Sequence, residues 1–434
     1  MASIRLAYVG GGSSRAAGTM AAFVHNHGSR FEGSEVVLID LVPDHLAIVE
    51  RIATRMARAR GLDIRFRSTT DLRAGLTDVD AVLSSYRPGG FEARVLDERI
   101  PLAHGVIGQE TQGPGGFFMA LRSIHILQGI LGLVEQVAPR ARIFNYTNPV
   151  NIVAQAATMH SAVPFTSFCE GTFDFPKEIA VAAGLDPTRI SARMIGLNHT
   201  TWSVSSDYDG EDAMIAIERA WEGMRDESGV DPHDRRFVEL AVTMGAIPAQ
   251  YLRYFYFHDE MLAELRAKPT TRAEDILSWV PDYWAHYAEQ AESDDPVLDP
   301  ARSRGGIFEL ELALDAIDST FNDLGLVLPV NTPNRAGTLI GFPEDLVVEV
   351  FARVDAAGVH PEPMPALPRH VRGLIGLLGE YQWLAAEAAW SGTRRDAIRA
   401  LASHPWLLSL HRAEALYDEM AAAHRAYLPE RLLS

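Results

Sequence analysis

Short apolar segments alternate with helical patterns over the first third of the chain. The first apolar run, 4–10, ends in three glycines and is followed by a helix-like stretch. A second run, 35–40, ends in an acid, and apolar residues at every fourth position follow it. Three more strand-like runs lie at 64–68, 81–86 and 141–146. Strands that alternate with helices predict a parallel sheet covered by helices on both faces.

The rest of the chain has a different pattern. Residues 161–209 are mixed, with a strand-like run at 201–206, and helical periodicity dominates from residue 212 onward. The sequence therefore predicts two units. The first is a nucleotide-binding α/β domain over residues 1–165, and the second is a mostly helical α+β substrate domain over residues 166–434.

The composition excludes several classes of protein. The chain has 434 residues, with 39 Lys and Arg against 57 Asp and Glu, and a net charge of −18. Binding to a nucleic-acid backbone needs clustered cations, so we expect no nucleic-acid partner. A single cysteine cannot form an internal disulfide or a zinc–thiolate cluster, which fits a reducing cytoplasm. With no signal-peptide pattern and no apolar run of ~18 residues, we expect a soluble, cytoplasmic protein that crosses no membrane.

The turn after the first strand has the chemistry of a dinucleotide site. Gly10, Gly11 and Gly12 would let the backbone approach a pyrophosphate at the start of a helix. The match to G-x-G-x-x-G is partial, because Arg15 stands in the third glycine position. Asp40 ends the second strand, where an acid accepts both hydroxyls of an adenosine ribose and favours NAD over NADP. A plain tight turn is the alternative.

Polar segments follow the later strands. Residues 87–90 and 145–149 end the fourth and fifth strands, where ligands bind in an open α/β sheet. Between them, 105–116 is dense in glycine and polar residues, and we expect an active-site loop there rather than a plain connection. Cys169 and His199 begin the second half. Their spacing alone leaves both a metal site and two ordinary buried residues open.

Many short motifs follow one another in order along the chain. They are Gly10-Gly11-Gly12-Ser13, Arg94 with Asp97-Glu98, Gly108-Gln109-Glu110-Thr111, Asn145-Tyr146-Thr147-Asn148-Pro149, Cys169, Gly196-Leu197-Asn198-His199, Ile247-Pro248-Ala249-Gln250-Tyr251, Arg304-Gly305-Gly306 and Asn331-Thr332-Pro333-Asn334-Arg335. Together they resemble glycoside hydrolase family 4, the NAD- and metal-dependent glycosidases, and are closest to its 6-phospho-β-glucosidase branch.

The resemblance implies a fold, two cofactors and a reaction. The fold is a Rossmann-type parallel sheet like that of lactate and malate dehydrogenases. The cofactors are NAD and a divalent metal ion, usually Mn²⁺. The reaction is hydrolysis of a glycoside by redox elimination. In it, C3 of the sugar is oxidised, a base removes the C2 proton, the C1–O bond breaks, water adds at C1 and C3 is reduced again.

The family pattern also implies roles for residues around the metal. Cys169 and His199 match the metal ligands, and a thiolate with an imidazole suits a transition-type divalent ion. Tyr251 matches the catalytic base, although an aromatic residue in a helical stripe is what the sequence alone would favour. The NAD site would comprise residues 10–13 and Asp40.

The substrate positions leave the specificity open. Arg94 and Asn148 match substrate-contacting residues, and Arg272 matches a phosphate-binding arginine, with an exposed arginine at a helix start as the alternative. Glu170 stands where the β branch commonly has Asn and the α branch Asp. It could act as a general acid, bind a hydroxyl or repel a 6-phosphate. Phe308 replaces a common tyrosine, so the anomer and the phosphorylation of the substrate both stay open.

Three alternatives to a 6-phospho-β-glucosidase remain at this stage. They are a family member that acts on α-linked or non-phosphorylated glycosides, an NAD-dependent sugar or hydroxyacid dehydrogenase, and an NAD-sensing regulatory protein. The apolar helix residues Leu374, Leu377, Leu378 and Trp383 suggest a homodimer or homotetramer, or else fill the core of the helical domain.

Overall fold

A computed structural model describes residues 1–304 and 310–434. The strands are β1 Arg5–Val9, β2 Ser34–Ile39, β3 Ile64–Thr69, β4 Ala81–Ser84, β5 Arg142–Asn145, β6 Phe165–Ser167, β7 Ile190–Ile195, β8 Trp202–Tyr208, β9 Leu326–Pro333, β10 Val347–Asp355 and β11 Gly358–Pro361. The helices are α1 Ala16–Ala22, α2 Pro43–Ala59, α3 Leu72–Leu76, α4 Gly90–Ala103, α5 Gly113–Val137, α6 Val150–His160, α7 Gly171–Ala182, α8 Ala213–Met224, α9 Pro232–Met244, α10 Arg253–Tyr256, α11 His258–Ala267, α12 Arg272–Glu292, α13 Glu311–Asn322, α14 Arg369–Trp390, α15 Arg394–Ser403 and α16 Leu410–Ala423.

Nine strands form one sheet in the order β11-β10-β9-β6-β5-β4-β1-β2-β3. The six strands β1 to β6 pair in parallel. Strands β9, β10 and β11 continue the sheet beside β6 and pair in antiparallel fashion. Large hydrophobic cores lie on both faces, which is why the inner parallel strands β1, β2 and β4 are mostly apolar. The predicted parallel α/β sheet is confirmed.

The second half of the chain contributes strands to the same sheet. β6 begins at Phe165, and β9–β11 come from residues 326–361. The remaining two strands, β7 and β8, form a separate antiparallel ribbon beside the helices. The division at residues 165 and 166 therefore stays a prediction about how the chain is organised.

The predicted loop 105–116 is shorter than expected. Gly113 is the first residue of α5, and residues 113–116 are buried. A Cβ at Gly116 would lie 2.3 Å from the carbonyl carbon of Thr111, so glycine is needed for a close approach of two backbone segments. The glycines that resemble a flexible loop in the sequence instead pack the helix start against the loop.

Helix α5 is also an exception to the expected absence of a long apolar segment. By length and composition alone it is able to cross a membrane, but 67% of its most apolar stretch is buried inside the protein. A buried central helix of a globular fold has these same properties.

The turn after β1 requires glycine for steric reasons. Gly10 has a φ of +97°, and a Cβ there would lie 2.0 Å from the carbonyl oxygen of Ser85. Gly61 also has a positive φ, +68°, but nothing lies within 4 Å of its Cβ position. Replacing Gly61 by alanine would therefore introduce backbone strain alone, whereas replacing Gly10 would introduce both backbone strain and steric overlap.

We predict that Gly10→Ala lowers the free energy of unfolding by about 3 kcal/mol, from the left-handed backbone and the clash together. Gly61→Ala, the matched control, should cost only about 1 kcal/mol, because it carries the backbone term alone. Urea denaturation measures both values. Equal losses would contradict the steric account of the turn.

Candidate active site

A cavity of about 510 Å³ opens beyond the carboxyl ends of the parallel strands. Its wall is built from the segment that follows β1, from α4 and the loop 108–110 after it, from residues 250–254 and from the segment that leads into α12. Among the predicted residues, Arg94, Tyr251 and Arg272 line it. The fold therefore brings together, at one cavity, side chains that are far apart in sequence.

Cys169 and His199 come together at one side of this region. Cys169 lies just after β6, and His199 lies in the turn between β7 and β8 with a φ of +67°. The Sγ of Cys169 is 3.5 Å from the Nε2 of His199. The structure thus brings the two predicted metal ligands within contact distance.

A hydrogen-bond chain orients the His199 ring. The Thr111 hydroxyl donates to the Oε1 of Gln109 at 3.0 Å, so its oxygen is free to accept from the Nδ1–H of His199 at 2.9 Å. The lone pair of Nε2 then points towards Cys169. Metal-binding histidines are commonly fixed in this way by a partner on the other ring nitrogen.

Burial sets the protonation of the pair. It lowers the pKa of His199 to about 4, and burial together with Glu349 and Glu170 raises the pKa of the Cys169 thiol to about 12. Near neutral pH the imidazole is therefore uncharged and the thiol protonated until a cation displaces the proton. No cluster of three His, Cys, Asp or Glu side chains suited to a metal occurs in residues 1–304 and 310–434. The pair would leave the other coordination positions to substrate oxygens and water.

A buried carboxylate supports the loop that carries His199. Glu349 of β10 is fully buried, and the side-chain amide of Asn198 donates to its two oxygens at 3.4 and 3.3 Å. The amide of Asn331 donates to it as well, at 3.3 Å. Burial still raises the pKa of Glu349 to about 7. Glu349 is absent from the residues predicted from the sequence, although an acid within the apolar run at the start of β10 is a usable signal.

Tyr251 lies directly on the His199 ring. It belongs to the short 3₁₀ turn Gln250–Leu252, and the two rings stack with centroids 3.9 Å apart and planes 10° apart. Burial, followed by the charges of Cys169 and Glu110, raises the pKa of the phenol. A phenolate at this position therefore depends on positive charge nearby.

One carboxylate holds a group of arginines at the cavity wall. Glu110 lies 2.7 Å from Arg87 and 2.8 Å from Arg94, with Arg304 and Arg15 close by. Although burial opposes ionisation, these four cations hold the pKa of Glu110 well below its ordinary value. Arg15, which breaks the glycine pattern in the sequence, thus belongs to a charged cluster that sequence analysis did not assemble.

Arg94 and Arg272 are linked through a second acid. Arg94 donates to Glu98 at 2.7 Å, and the other oxygen of Glu98 accepts from the backbone N–H of Ala273 at 2.9 Å. This bond fixes the start of α12 next to the cavity. Arg272 is exposed there, with its guanidinium 4.9 Å from the Trp279 ring centroid. Arg272 is thus both an exposed residue at the start of a helix and a residue that lines the cavity.

Two further predicted residues, Asn148 and Glu170, follow strands β5 and β6. Glu170 accepts a hydrogen bond from the Tyr146 hydroxyl and precedes α7. Asn148 precedes a cis peptide bond to Pro149, and its carbonyl oxygen accepts from the Ser123 hydroxyl at 3.1 Å. Gly305, Gly306 and Phe308, which sequence analysis singled out, lie outside the described residues.

The glycine turn and Asp40 fit a dinucleotide. A Cβ at Gly11 would lie 2.9 Å from the Cβ of Leu38 in β2, and one at Gly12 would lie 2.9 Å from the Cβ of Asp40, so the turn packs with backbone alone. Asp40 accepts from the N–H of Gly12 at 3.0 Å and of Leu41 at 2.7 Å, and each oxygen keeps a lone pair for a ribose hydroxyl. The buried hydroxyl of Ser13 has no hydrogen-bond partner among the described residues, which leaves it available to a ligand.

Comparison with known proteins gives a consistent picture. The model of the family 4 glycosyl hydrolases matches residues 5–185, and that of the family 4 glycosyl hydrolase C-terminal domain matches residues 194–407. A probable 6-phospho-β-glucosidase of Bacillus subtilis is 32% identical, over 98% of each chain. A maltose-6'-phosphate glucosidase of Clostridium acetobutylicum is 27% identical, over 99% of this chain and 100% of its own.

Solved structures agree on the fold. The 6-phospho-β-glucosidase of Thermotoga maritima, determined with manganese, NAD⁺ and glucose-6-phosphate, has a TM-score of 0.82 at 25% identity and covers 98% of this chain and 99% of its own. Malate dehydrogenase of Plasmodium falciparum has a TM-score of 0.54 at 12% identity, over 89% of this chain and 100% of its own, which shows a shared fold alone. The predicted dehydrogenase-like fold is confirmed, and the predicted cofactors are those present in the Thermotoga structure.

We predict that Glu110→Gln lowers the free energy of unfolding by about 3 kcal/mol at pH 7, because it leaves like charges together without their shared anion. The folded-state pKa of Glu110 is depressed, so its contribution is complete above the unfolded pKa of about 4.3 and declines as the pH falls further. The difference from wild type should thus be constant between pH 6 and 8 and shrink below about pH 4.

The control is Glu222→Gln on the exposed face of α8, which should change stability by less than about 0.5 kcal/mol. Denaturant titrations at several pH values measure both variants. A Glu110→Gln protein as stable as wild type at pH 7 would show that the arginines do not depend on this carboxylate.

Proposed function

The chain belongs to glycosyl hydrolase family 4, and we propose that it cleaves 6-phospho-β-glucosides using NAD⁺ and a divalent metal ion, Mn²⁺. The observation that carries the proposal is that Cys169 contacts His199 and Tyr251 stacks on it, beside an arginine-rich cavity. A metal-binding pair, a candidate base and a site for an anion lie within one pocket region. An NAD-sensing protein would have no use for that combination.

The residues divide between the two cofactors. The glycine turn at 10–13 and Asp40 would hold NAD, and Cys169 with His199 would hold the metal. When bound, the nicotinamide supplies reversible oxidation at C3 of the sugar, and the metal ion polarises the C2 and C3 oxygens. The Nε2 lone pair of His199, which faces the Cys169 thiol, and the unpartnered Ser13 hydroxyl are the features that fit these groups.

Tyr251 is the proposed base at C2. With C3 in the ketone state the C2 proton is acidic, and its removal allows the C1–O bond to break before water adds at C1. Burial favours the neutral phenol, so the phenolate needs the positive charge of Arg94 and of the metal site. Its stacking on His199 fixes the phenol beside the metal-binding pair.

The charge of the cavity supports a phosphorylated substrate. Six cationic side chains and three acidic ones line it, in a protein whose overall charge is −18. Guanidinium groups bind phosphate oxygens in pairs, which favours a sugar phosphate over a neutral sugar. Relatives at 32% and 30% identity are named as 6-phospho-β-glucosidases, which supports the β anomer.

An α-linked 6-phosphoglucoside is the second candidate. Relatives at 27% identity are named as maltose-6'-phosphate and 6-phospho-α-glucosidases. Glu170, next to the metal cysteine and anchored by the Tyr146 hydroxyl, offers a carboxyl group that can protonate a leaving oxygen. We also propose a cytoplasmic location, because a reduced Cys169 needs a reducing compartment.

A panel of 4-nitrophenyl α- and β-glucosides, each with and without the 6-phosphate, tests the specificity. We expect the β-linked phosphate to be cleaved best, with kcat/KM at least about a hundredfold lower without the phosphate. Activity should need both NAD⁺ and Mn²⁺. Full activity after chelation would contradict the metal site, and accumulation of NADH with turnover would indicate a dehydrogenase instead.

Tyr251→Phe should lower kcat by about 10²–10⁴-fold, because the base is lost, while the affinities for NAD⁺ and Mn²⁺ stay unchanged. Steady-state kinetics and calorimetry measure these quantities. The control is Tyr256→Phe, whose ring packs against Trp202 away from the cavity lining. A Tyr251→Phe enzyme with wild-type kcat would show that the base is another group.

A further inference from the structure

A second cavity, of about 870 Å³, lies on the outer face of α14, far along the chain from the candidate active site. The helix and the segment 341–346 form its walls. Of the apolar residues noted in the sequence, Leu378 is buried in the core, whereas Leu377 is 37% exposed and Trp383 lines the cavity. The helix therefore has one face inside the protein and another that is open.

On the open face of α14, residues at equal distances before and after Gly376 have complementary side chains. Arg372 lies four residues before this glycine and Glu380 four residues after it. Arg369 lies seven before and Trp383 seven after. All five residues line the cavity, so they share one face of the helix. In an antiparallel pair of such helices, centred on Gly376, each Arg372 meets a Glu380 and each Arg369 meets a tryptophan ring.

The charges on this face have no partner within the protein. Arg369, Arg372 and Glu380 form no ion pair in the part of the chain that the structure describes. Arg372 lies over the Phe342 ring, at 5.7 Å, and next to Gly341, neither of which is charged. Oppositely charged groups left unpaired at matching distances from one point complement the same surface of a second copy.

The glycines on this face also point to a neighbour. A Cβ at Gly373 or Gly376 would meet nothing within 4 Å, so the chain's own packing does not require glycine at either position. A glycine within a helix is less stable than an alanine, because it loses more backbone freedom on folding. Gly379, by contrast, packs against Leu346, with 3.0 Å from its Cβ position to the nearest carbon. Close approach of a helix from another molecule would explain why glycine occupies positions 373 and 376.

We propose that α14 forms a two-fold interface with α14 of a second copy of this chain, antiparallel and centred on Gly376. The paired contacts are Arg372 with Glu380 and Arg369 with Trp383, each made twice by the symmetry. Gly373 and Gly376 let the two helix backbones approach closely. The interface goes beyond the proposed glycosidase activity and does not depend on it.

Charge reversal tests the pairing in the full-length protein. Sedimentation velocity should show wild type as a dimer or a larger even assembly. Arg372→Glu and Glu380→Arg should each raise the dissociation constant of this interface by at least about tenfold, because two like-charge pairs then face each other. An equimolar mixture of the two variants should reassemble, since the opposite charges meet again in the heterodimer. The double variant should also assemble.

The matched control is Arg395→Glu on the exposed side of α15, which should assemble like wild type. Circular dichroism and a thermal melt establish that each variant is folded, and recovery in the mixture shows that both single variants are competent. A monomeric wild type at about 100 µM would overturn the proposal. So would single variants that assemble like wild type, or a mixture that stays dissociated, because the copies would then meet through another face.

Discussion

The arrangement of the active-site wall depends on one buried carboxylate. Glu110 lies among guanidinium groups that come from four separate segments, after β1, after β4, within α4 and after α12. Without a central anion these groups would repel each other across a poorly solvated space. With it, they are held at the cavity while retaining donor groups for a further anion. A strongly acidic protein can thus present a cationic pocket to an anionic ligand.

The reactive groups depend on the same loop. Thr111 follows Glu110 directly and fixes the tautomer of His199 through its Nδ1. His199 then points Nε2 at Cys169 and supports the ring of Tyr251. From the opposite side, buried Glu349 holds Asn198, the neighbour of His199. The predicted metal-binding pair and the candidate base are therefore positioned from two sides by buried polar contacts, which resist displacement because breaking them strands a buried polar group.

The local chemistry of the sequence predicts some of these features and not others. The apolar parallel strands, the glycine turn and Asp40 were predictable because each depends on residues close together in the chain. Cys169 and His199 were predictable as a pair only through the family resemblance, because thirty residues, including helix α7 and strand β7, separate them. Arg15 looked like a missing glycine, since its partner Glu110 is distant in sequence. Glu349 was missed because it lies in a strand otherwise typical of core.

The same limit explains the glycines at the start of α5. In the sequence a dense run of glycine and polar residues indicates a flexible loop, whereas the structure uses Gly116 to bring a helix against the Thr111 backbone.

The most direct test of the central claim, that Tyr251 removes the C2 proton beside the Cys169–His199 pair, is turnover of a 6-phospho-β-glucoside in D₂O with NMR analysis of the released sugar phosphate. The account predicts deuterium at C2, protium retained at C3 and no net NADH. A product that retains protium at C2 would contradict it.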